Sequence, residues 1–214
     1  MNYFDFHTHN KNADNAIINL FHNDIIPNNK IFSIGLHPWH INNNTLIADL
    51  DILEKKAKIK NIVAIGECGF DKNIKTDFKI QQEVFYHHFK LSENLKKPLI
   101  IHCVGFYEEL NKLKKEYKPN QAWIFHGYNQ NTIIFNKLVE NGFYYSFRKS
   151  IIQNDQKIQN LLVNINLTRL FLETDDDSVK IEELYRKMSN LLKINEEYLS
   201  KNIFKNIKNI TKIK

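Results

Sequence analysis

Cysteine, proline, glycine and long apolar runs are all scarce in this chain, and each scarcity removes a class of protein. Two cysteines, Cys68 and Cys103, among 214 residues do not make the disulfide framework of a small secreted domain. No apolar run approaches the roughly 18–20 residues a helix needs to cross a bilayer, so no membrane partner is expected. The N-terminus lacks a basic segment followed by an apolar one, and strand-like residues begin at Tyr3. A cytoplasmic protein is therefore the expectation. Six glycines and four prolines form no linker, hinge or low-complexity block, and a single domain over residues 1–214 is expected.

What remains is ordinary globular material: 43% hydrophobic and 25% charged residues, enough for one sizeable core. The formal charge of +6 is compatible with a polyanionic substrate, although lysine is spread along the whole chain. The basic tail over 193–214 reads as a solvated helix face. Short apolar runs alternate with amphipathic ones. The runs predict strands at 3–9, 16–20, 31–37, 62–67, 99–103, 122–126, 143–147 and 169–174, and helices at 45–59, 78–96, 105–117, 130–140, 180–192 and 195–209. Pro98 precedes a strand and Gly142 follows a helix, where such punctuation belongs. Eight strands alternating with helices predict an α/β fold, a TIM-type (β/α)8 barrel. The run at 16–20 is the odd one, with little room for a helix before the next strand.

The chemistry collects at strand ends. In the stretch NYFDFHTHN, residues two apart share a strand face, so Asp5, His7 and His9 line one side. Two imidazoles side by side can hold a metal ion; alone, they can equally be an accident. They are not alone. His37 ends the third predicted strand, Glu67 the fourth, His102 the fifth and His126 the sixth, and Asp175 follows the eighth. In a barrel these ends converge on one face, where such folds place their sites. Histidine with carboxylates suits Zn, Mn, Fe or Mg, with no thiolate required. Cys68 and Cys103 each follow one of these residues, so alternation turns both thiols away toward the helices.

The segments FDFHTH, SIGLHPWH, AIGECGFDK, QQEVFYHHFKLSENLKKPLIIHC, IFHGY and LFLETD, in this order, resemble the TatD family of metal-dependent hydrolases along nearly the whole chain. The resemblance implies a TIM-type barrel holding one or two divalent ions (Mg, Mn or Zn), and phosphodiester hydrolysis, typically of DNA by a 3′ exonuclease. It implies His7, His9, Glu67, His102, His126 and Asp175 as ligands, with Glu67 bridging two ions. A bridged pair of ions can activate water at neutral pH and clamp an in-line displacement. Asp175 is the candidate to orient or deprotonate the attacking water, which makes Asp175 and Glu67 the expected catalytic residues. Nucleic acid or another phosphodiester is then the substrate, and no obligate protein partner is implied. Competing readings are a metal-dependent amide or ester hydrolase of small molecules on the same barrel, and a non-catalytic, metal-stabilised binding protein.

Other residues carry two readings each. Asp5 and Glu173 either orient ligand imidazoles or form a buried ion pair, for instance with Arg169. His37 either touches a substrate phosphate or stabilises its turn. Lys72 and Arg148 are phosphate contacts or solvated charges. Tyr128 and Trp39 stack a base or simply pack. Asp71 is assigned to its loop, and His22, His40, His87 and His88 are given no chemistry. The chain departs from the family pattern in two places. Cys103-Val104 stands where Ser-Arg is common, and Asp176-Asp177-Ser178 where Ala-Pro-Tyr is common. Both departures favour a substrate gripped through few phosphates, at an end or a single strand.

Overall fold

The computed structural model describes residues 2–153 and 155–213. Eight strands, β1 (Asp5–Thr8), β2 (Ala16–Phe21), β3 (Ile31–Gly35), β4 (Ile62–Asp71), β5 (Leu99–Val104), β6 (Trp123–Phe125), β7 (Tyr144–Phe147) and β8 (Leu170–Leu172), follow one another in a single sheet in chain order. Every neighbouring pair is parallel. The ring closes where β1 meets β8. There Thr8 and Asp175 form an isolated parallel bridge, His9 N–H donates to Asp175 O at 2.9 Å, and Asp175 N–H to His7 O at 2.9 Å. The arrangement is the expected TIM-type barrel.

The helices that cover the sheet are α1 (Leu46–Ala57), α2 (Phe78–Leu95), α3 (Tyr107–Tyr117), α4 (Thr132–Glu140), α5 (Ser150–Gln153), α6 (Asp155–Leu162), α7 (Ile181–Leu192) and α8 (Glu196–Thr211). Six lie where periodicity predicts them. The α2 sequence shows why: Gln81, Val84, Phe85, His88, Phe89, Leu91 and Ser92 are its buried residues, a stripe repeating every three to four positions. Asp77 caps its first turn by accepting from Lys79 N–H at 2.8 Å, and Lys96 ends it in a left-handed conformation. Apolar packing fills both the barrel interior and the strand–helix layer. Phe6 and Phe171 stack across the seam at 4.1 Å, while Phe85 of α2 meets Trp123 of β6 edge-on at 5.2 Å.

Three features depart from the periodic reading. The second strand forms where expected but breaks the strand–helix alternation: β2 pairs with β1 on one side and, over five residues, with β3 on the other, with no helix in either connection. Two short helices, α5 and α6, occupy the segment between β7 and β8, where polar residues interrupt the apolar period. Finally, β4 runs on to Asp71 instead of stopping at Glu67. Glycine permits this. Gly66 (φ 129°) and Gly69 (φ 142°) flank Glu67 so closely against β5 that a Cβ would lie 2.3 Å from Ile100 O and 2.0 Å from His102 O. No L side chain fits either place, so the GECG sequence seats Glu67 hard against its neighbour strand.

Candidate metal centre

Glu67 is the hub of the barrel's C-terminal face. It is buried, its backbone N–H donates to Asn19 Oδ1 of β2 at 3.0 Å, and its carboxylate is ringed by five imidazoles. Oε1 lies 2.7 Å from His126 Nε2, 2.9 Å from His102 Nδ1 and 3.2 Å from His37 Nε2. Oε2 lies 3.5 Å from His7 Nε2 and 3.6 Å from His9 Nε2. Asp175 completes the set, its Oδ1 at 3.7 Å from His7 Nε2 and 3.5 Å from His9 Nε2. The two carboxylate oxygens of Glu67 thus face two different clusters.

Three groups bring their ligand atoms within 4.8 Å of one another: His7–His9–Asp175, His7–Glu67–His126 and His37–Glu67–His102. The donor set fits divalent cations on physical grounds. His7 is fully buried, yet neither of its ring nitrogens has a hydrogen-bond partner among the described residues. An orphaned buried imidazole is costly unless something else occupies its lone pair. Charge points the same way. Burial opposes ionisation of Glu67, but His126, His102 and His37 outweigh it and hold its carboxyl well below the usual range. Burial likewise opposes protonation of His126, and Glu67 and Glu173 reverse it, raising its pKa well above the ordinary value. The cluster demands positive charge beside Glu67, and a cation satisfies that demand as well as protons do.

Contacts around these residues hold them in place. Glu173 Oε1 accepts from Gly127 N–H at 2.5 Å and faces His126 Nδ1 at 3.4 Å. Asp5 meets backbone instead, its Oδ1 lying 3.4 Å from His7 N. It accepts from Thr174 N–H at 3.0 Å and Thr174 Oγ1–H at 2.5 Å, fixing the chain just before Asp175. Neither carboxylate pairs with Arg169, whose guanidinium lies over the Tyr144 ring. His37 caps a 3-10 turn over Pro38–His40, its Nδ1 accepting from Trp39 N–H at 3.1 Å, while Nε2 faces Glu67; turn cap and site residue are one side chain.

Three contributors were not legible as such. Asn19 Oδ1 accepts from Ser33 Oγ–H at 3.0 Å as well as from Glu67 N–H, tying β2, β3 and β4 beneath the hub. Asp71 is more than a loop stabiliser: Oδ2 accepts from Trp39 Nε1–H at 2.7 Å and faces His102 Nε2 at 3.2 Å. Arg148, at the end of β7, bonds the Asp175 carboxylate and lies 3.4 Å from Asp176 Oδ1, and Lys149 Nζ lies 3.2 Å from Asp177 Oδ1. The run of aspartates therefore carries its own counter-charges. Only Arg148 and Lys149 carried a hint, as polar residues just past a strand end.

Two expected substrate contacts fall elsewhere. Tyr128 is fully buried, 5.1 Å from Tyr145 and 5.4 Å from Phe135, ring centre to ring centre, and it cannot stack a base. Strand β6 ends at Phe125, and Gly127 (φ 55°) turns the chain so that Tyr128 enters the aromatic layer. Lys72 follows the end of β4 and lays its aliphatic stem over Gly105, whose Cβ would lie 2.3 Å from Lys72 Cδ. It does not line the cavity in front of Glu67. That cavity, of about 510 Å³, is bounded by Glu67, His9, His37, His102, His126, Gly127, Asp175 and the rim residues Phe21, Trp39, His40, Arg148 and Asp176, and also by Cys103 and Val104; Cys103 thus borders the site, which strand alternation did not anticipate.

An eight-stranded parallel barrel carrying clustered histidines and carboxylates at its C-terminal face is a framework able to hold divalent metal where such folds place their sites. The chain belongs to the TatD-related DNase family, whose sequence model matches residues 6–212. It is 31% identical over 150 residues to the uncharacterized metal-dependent hydrolase YcfH of Escherichia coli K12, covering 69% of this chain and 56% of YcfH. A TATDN1 homolog from Enterocytozoon bieneusi, whose name proposes it as a deoxyribonuclease, is 29% identical over 175 residues, 76% of this chain and 62% of that one. The chain thus spans a little over half the length of the curated relatives it matches. The crystal structure of YJJV, a TatD homolog from Escherichia coli K12, superposes with a TM-score of 0.82 at 15% identity, covering 99% of this chain and 98% of that one. The likeness in fold runs over nearly the whole of both chains. No helix among the described residues is long and apolar enough to cross a membrane.

Proposed function

We propose that this barrel is a divalent-cation-dependent phosphodiesterase acting on the end of a nucleic-acid strand, as a 3′ exonuclease does. The observation that supports this best is the Glu67 carboxylate itself, at the edge of an open cavity, with Oε2 facing His7 and His9 beside Asp175 and Oε1 facing His102, His126 and His37. His7, His9, Asp175 and Glu67 Oε2 would hold one cation, and Glu67 Oε1, His102 and His126 the other, with His37 facing the same oxygen. Bound there, divalent cations supply Lewis acidity and a lowered pKa for water at neutral pH.

The chain's own groups do the rest. Asp175 presents Oδ1 toward the cluster and is the group placed to take a proton from the attacking water. Its backbone adopts φ 56°, a conformation that aspartate tolerates better than most residues. Arg148 holds the Asp175 carboxylate from the cavity side, and its guanidinium is the one lysine or arginine side chain among the described residues lining that cavity. With Nη1 already engaged by Asp175, what is left of this one guanidinium suits a single phosphate at most. Asp71 and Glu173 keep His102 and His126 turned toward Glu67. The test is a turnover panel with Mg, Mn or Zn, using a 5′-labelled single-stranded oligonucleotide, an intact duplex and a set of small amides and esters. Stepwise shortening of the oligonucleotide from its 3′ end supports the reading. Amide or ester turnover without phosphodiester turnover overturns it, as does no turnover at all. Metal analysis of the purified protein identifies the cation.

A further inference from the structure

Trp39 stands apart from every other large aromatic residue near the site. It is 64% exposed, it lies on the cavity rim, and its ring is nevertheless held. Pro38 begins the 3-10 turn that carries it, and the indole N–H donates to Asp71 Oδ2 at 2.7 Å. Asp71 is itself fixed, its Oδ1 accepting from Asn73 N–H at 2.8 Å. The His37 ring meets the indole nearly perpendicular, at 4.9 Å and 82°, and the His102 ring at 5.9 Å and 74°. An exposed indole usually swings between rotamers and loses that freedom on binding. Here the freedom is already gone, and what remains open to solvent is a large apolar surface beside Glu67.

We infer that Trp39 is a stacking platform for a flat aromatic group, a nucleobase attached to the phosphate handled at Glu67 and Asp175. The inference deepens the phosphodiesterase reading and rests on it for the reaction, though not for the binding. Stacking on an indole accepts any base, because every base offers a π-face. It needs the base unpaired, which fits a strand end rather than an intact duplex. An anchor of this kind also complements a cavity with a single guanidinium, since affinity then comes from the base more than from further phosphates.

Two measurements test it. In the first, the Mg-loaded enzyme cleaves oligonucleotides ending in either a normal 3′ nucleoside or a tetrahydrofuran abasic residue. Trp39→Ala should reduce the wild-type preference in kcat/KM for the base-bearing end by roughly tenfold or more, mainly through KM, as the worth of one base–aromatic stack suggests. Trp39→Phe should restore most of it. Equal losses on both ends would mean that the indole acts only through Asp71 and His102, which overturns the inference, as does no change on either. In the second, tryptophan fluorescence is followed while dAMP or 2-deoxyribose 5-phosphate is added. Trp123, the other tryptophan, is fully buried, so quenching should come from dAMP alone and vanish in Trp39→Phe. Phosphodiester cleavage without quenching by dAMP overturns the stacking; quenching by dAMP without any cleavage supports the stacking and removes the phosphodiesterase reading.

Discussion

His88 and His7 are both fully buried, and they are buried for opposite reasons. Behind β3, His88 of α2 has both nitrogens engaged by backbone: Nε2 accepts from Leu36 N–H at 3.0 Å, and Nδ1 sits 2.7 Å from Val84 O, to which it donates. At the barrel mouth, His7 is equally buried, and among the described residues neither nitrogen has a hydrogen-bond partner. The first is a neutral peg between helix and sheet, with its pKa pushed down to about 4 by burial. The second has lone pairs left over. Burial alone does not tell a structural histidine from a ligand; the fate of the ring nitrogens does.

The comparison can be broken most forcefully at the hub. Glu67→Gln should lower metal affinity by more than about 100-fold, beyond the 10–100-fold typical of residues that only support ligands, and take activity with it. Metal content after dialysis and turnover measure this together; a variant that keeps its full complement of metal would mean that Glu67 is no bridge. Asp175→Asn comes next. It keeps a coordinating oxygen and loses the basicity, so bound metal should largely remain while the rate on a 5′-labelled oligonucleotide falls at least about 100-fold. Near wild-type turnover with metal bound would remove Asp175 as the proton acceptor.

The two histidines themselves give a crossed pair of smaller effects. His88→Ala leaves Leu36 N–H unpaired and opens a hole, and should cost roughly 2–4 kcal/mol in chemical denaturation while leaving metal affinity nearly unchanged. His7→Ala should do the reverse, changing metal-free stability by only about 1 kcal/mol and abolishing most metal binding. Should both variants lose stability alike and keep their metal, the distinction between peg and ligand fails.

The smallest effect is a slope. A folded-state pKa of about 4 for His88, below the ordinary 6.5, means that the unfolded chain binds the extra proton more readily. This contribution to stability is complete above pH 6.5 and is lost as pH falls toward 4. Thermal melts of the metal-free protein should therefore show a shallower decline between pH 6.5 and 4 in His88→Gln than in wild type. Parallel curves would mean that His88 titrates normally.

Much of this was readable in the sequence, for a reason that also marks where reading stops. Strand period and helix period are local, so eight strands, six helices and the clustering of His7, His9, Glu67, His102, His126 and Asp175 at strand ends follow from positions along the chain. Asn19, Asp71 and Arg148 act across strands, and their roles depend on register: which oxygen reaches Glu67 N–H, or which guanidinium reaches Asp175. Periodicity does not carry register between strands. Tyr128 and Lys72 were misplaced because each lies just past its strand's last residue, where alternation no longer applies. The segment that folds as α5 and α6 was missed because its apolar residues never complete a regular stripe.

The seam joining β1 to β8 has a consequence for how this protein is made. His7 and His9 belong to the first strand, and Asp175 and its bridge to Thr8 arrive only when the eighth strand has been translated. Until then the ring is open and one cluster lacks its carboxylate. A half-made chain therefore carries most of the clustered histidines without the carboxylate that faces His7 and His9, and the set is complete only once the seam has closed.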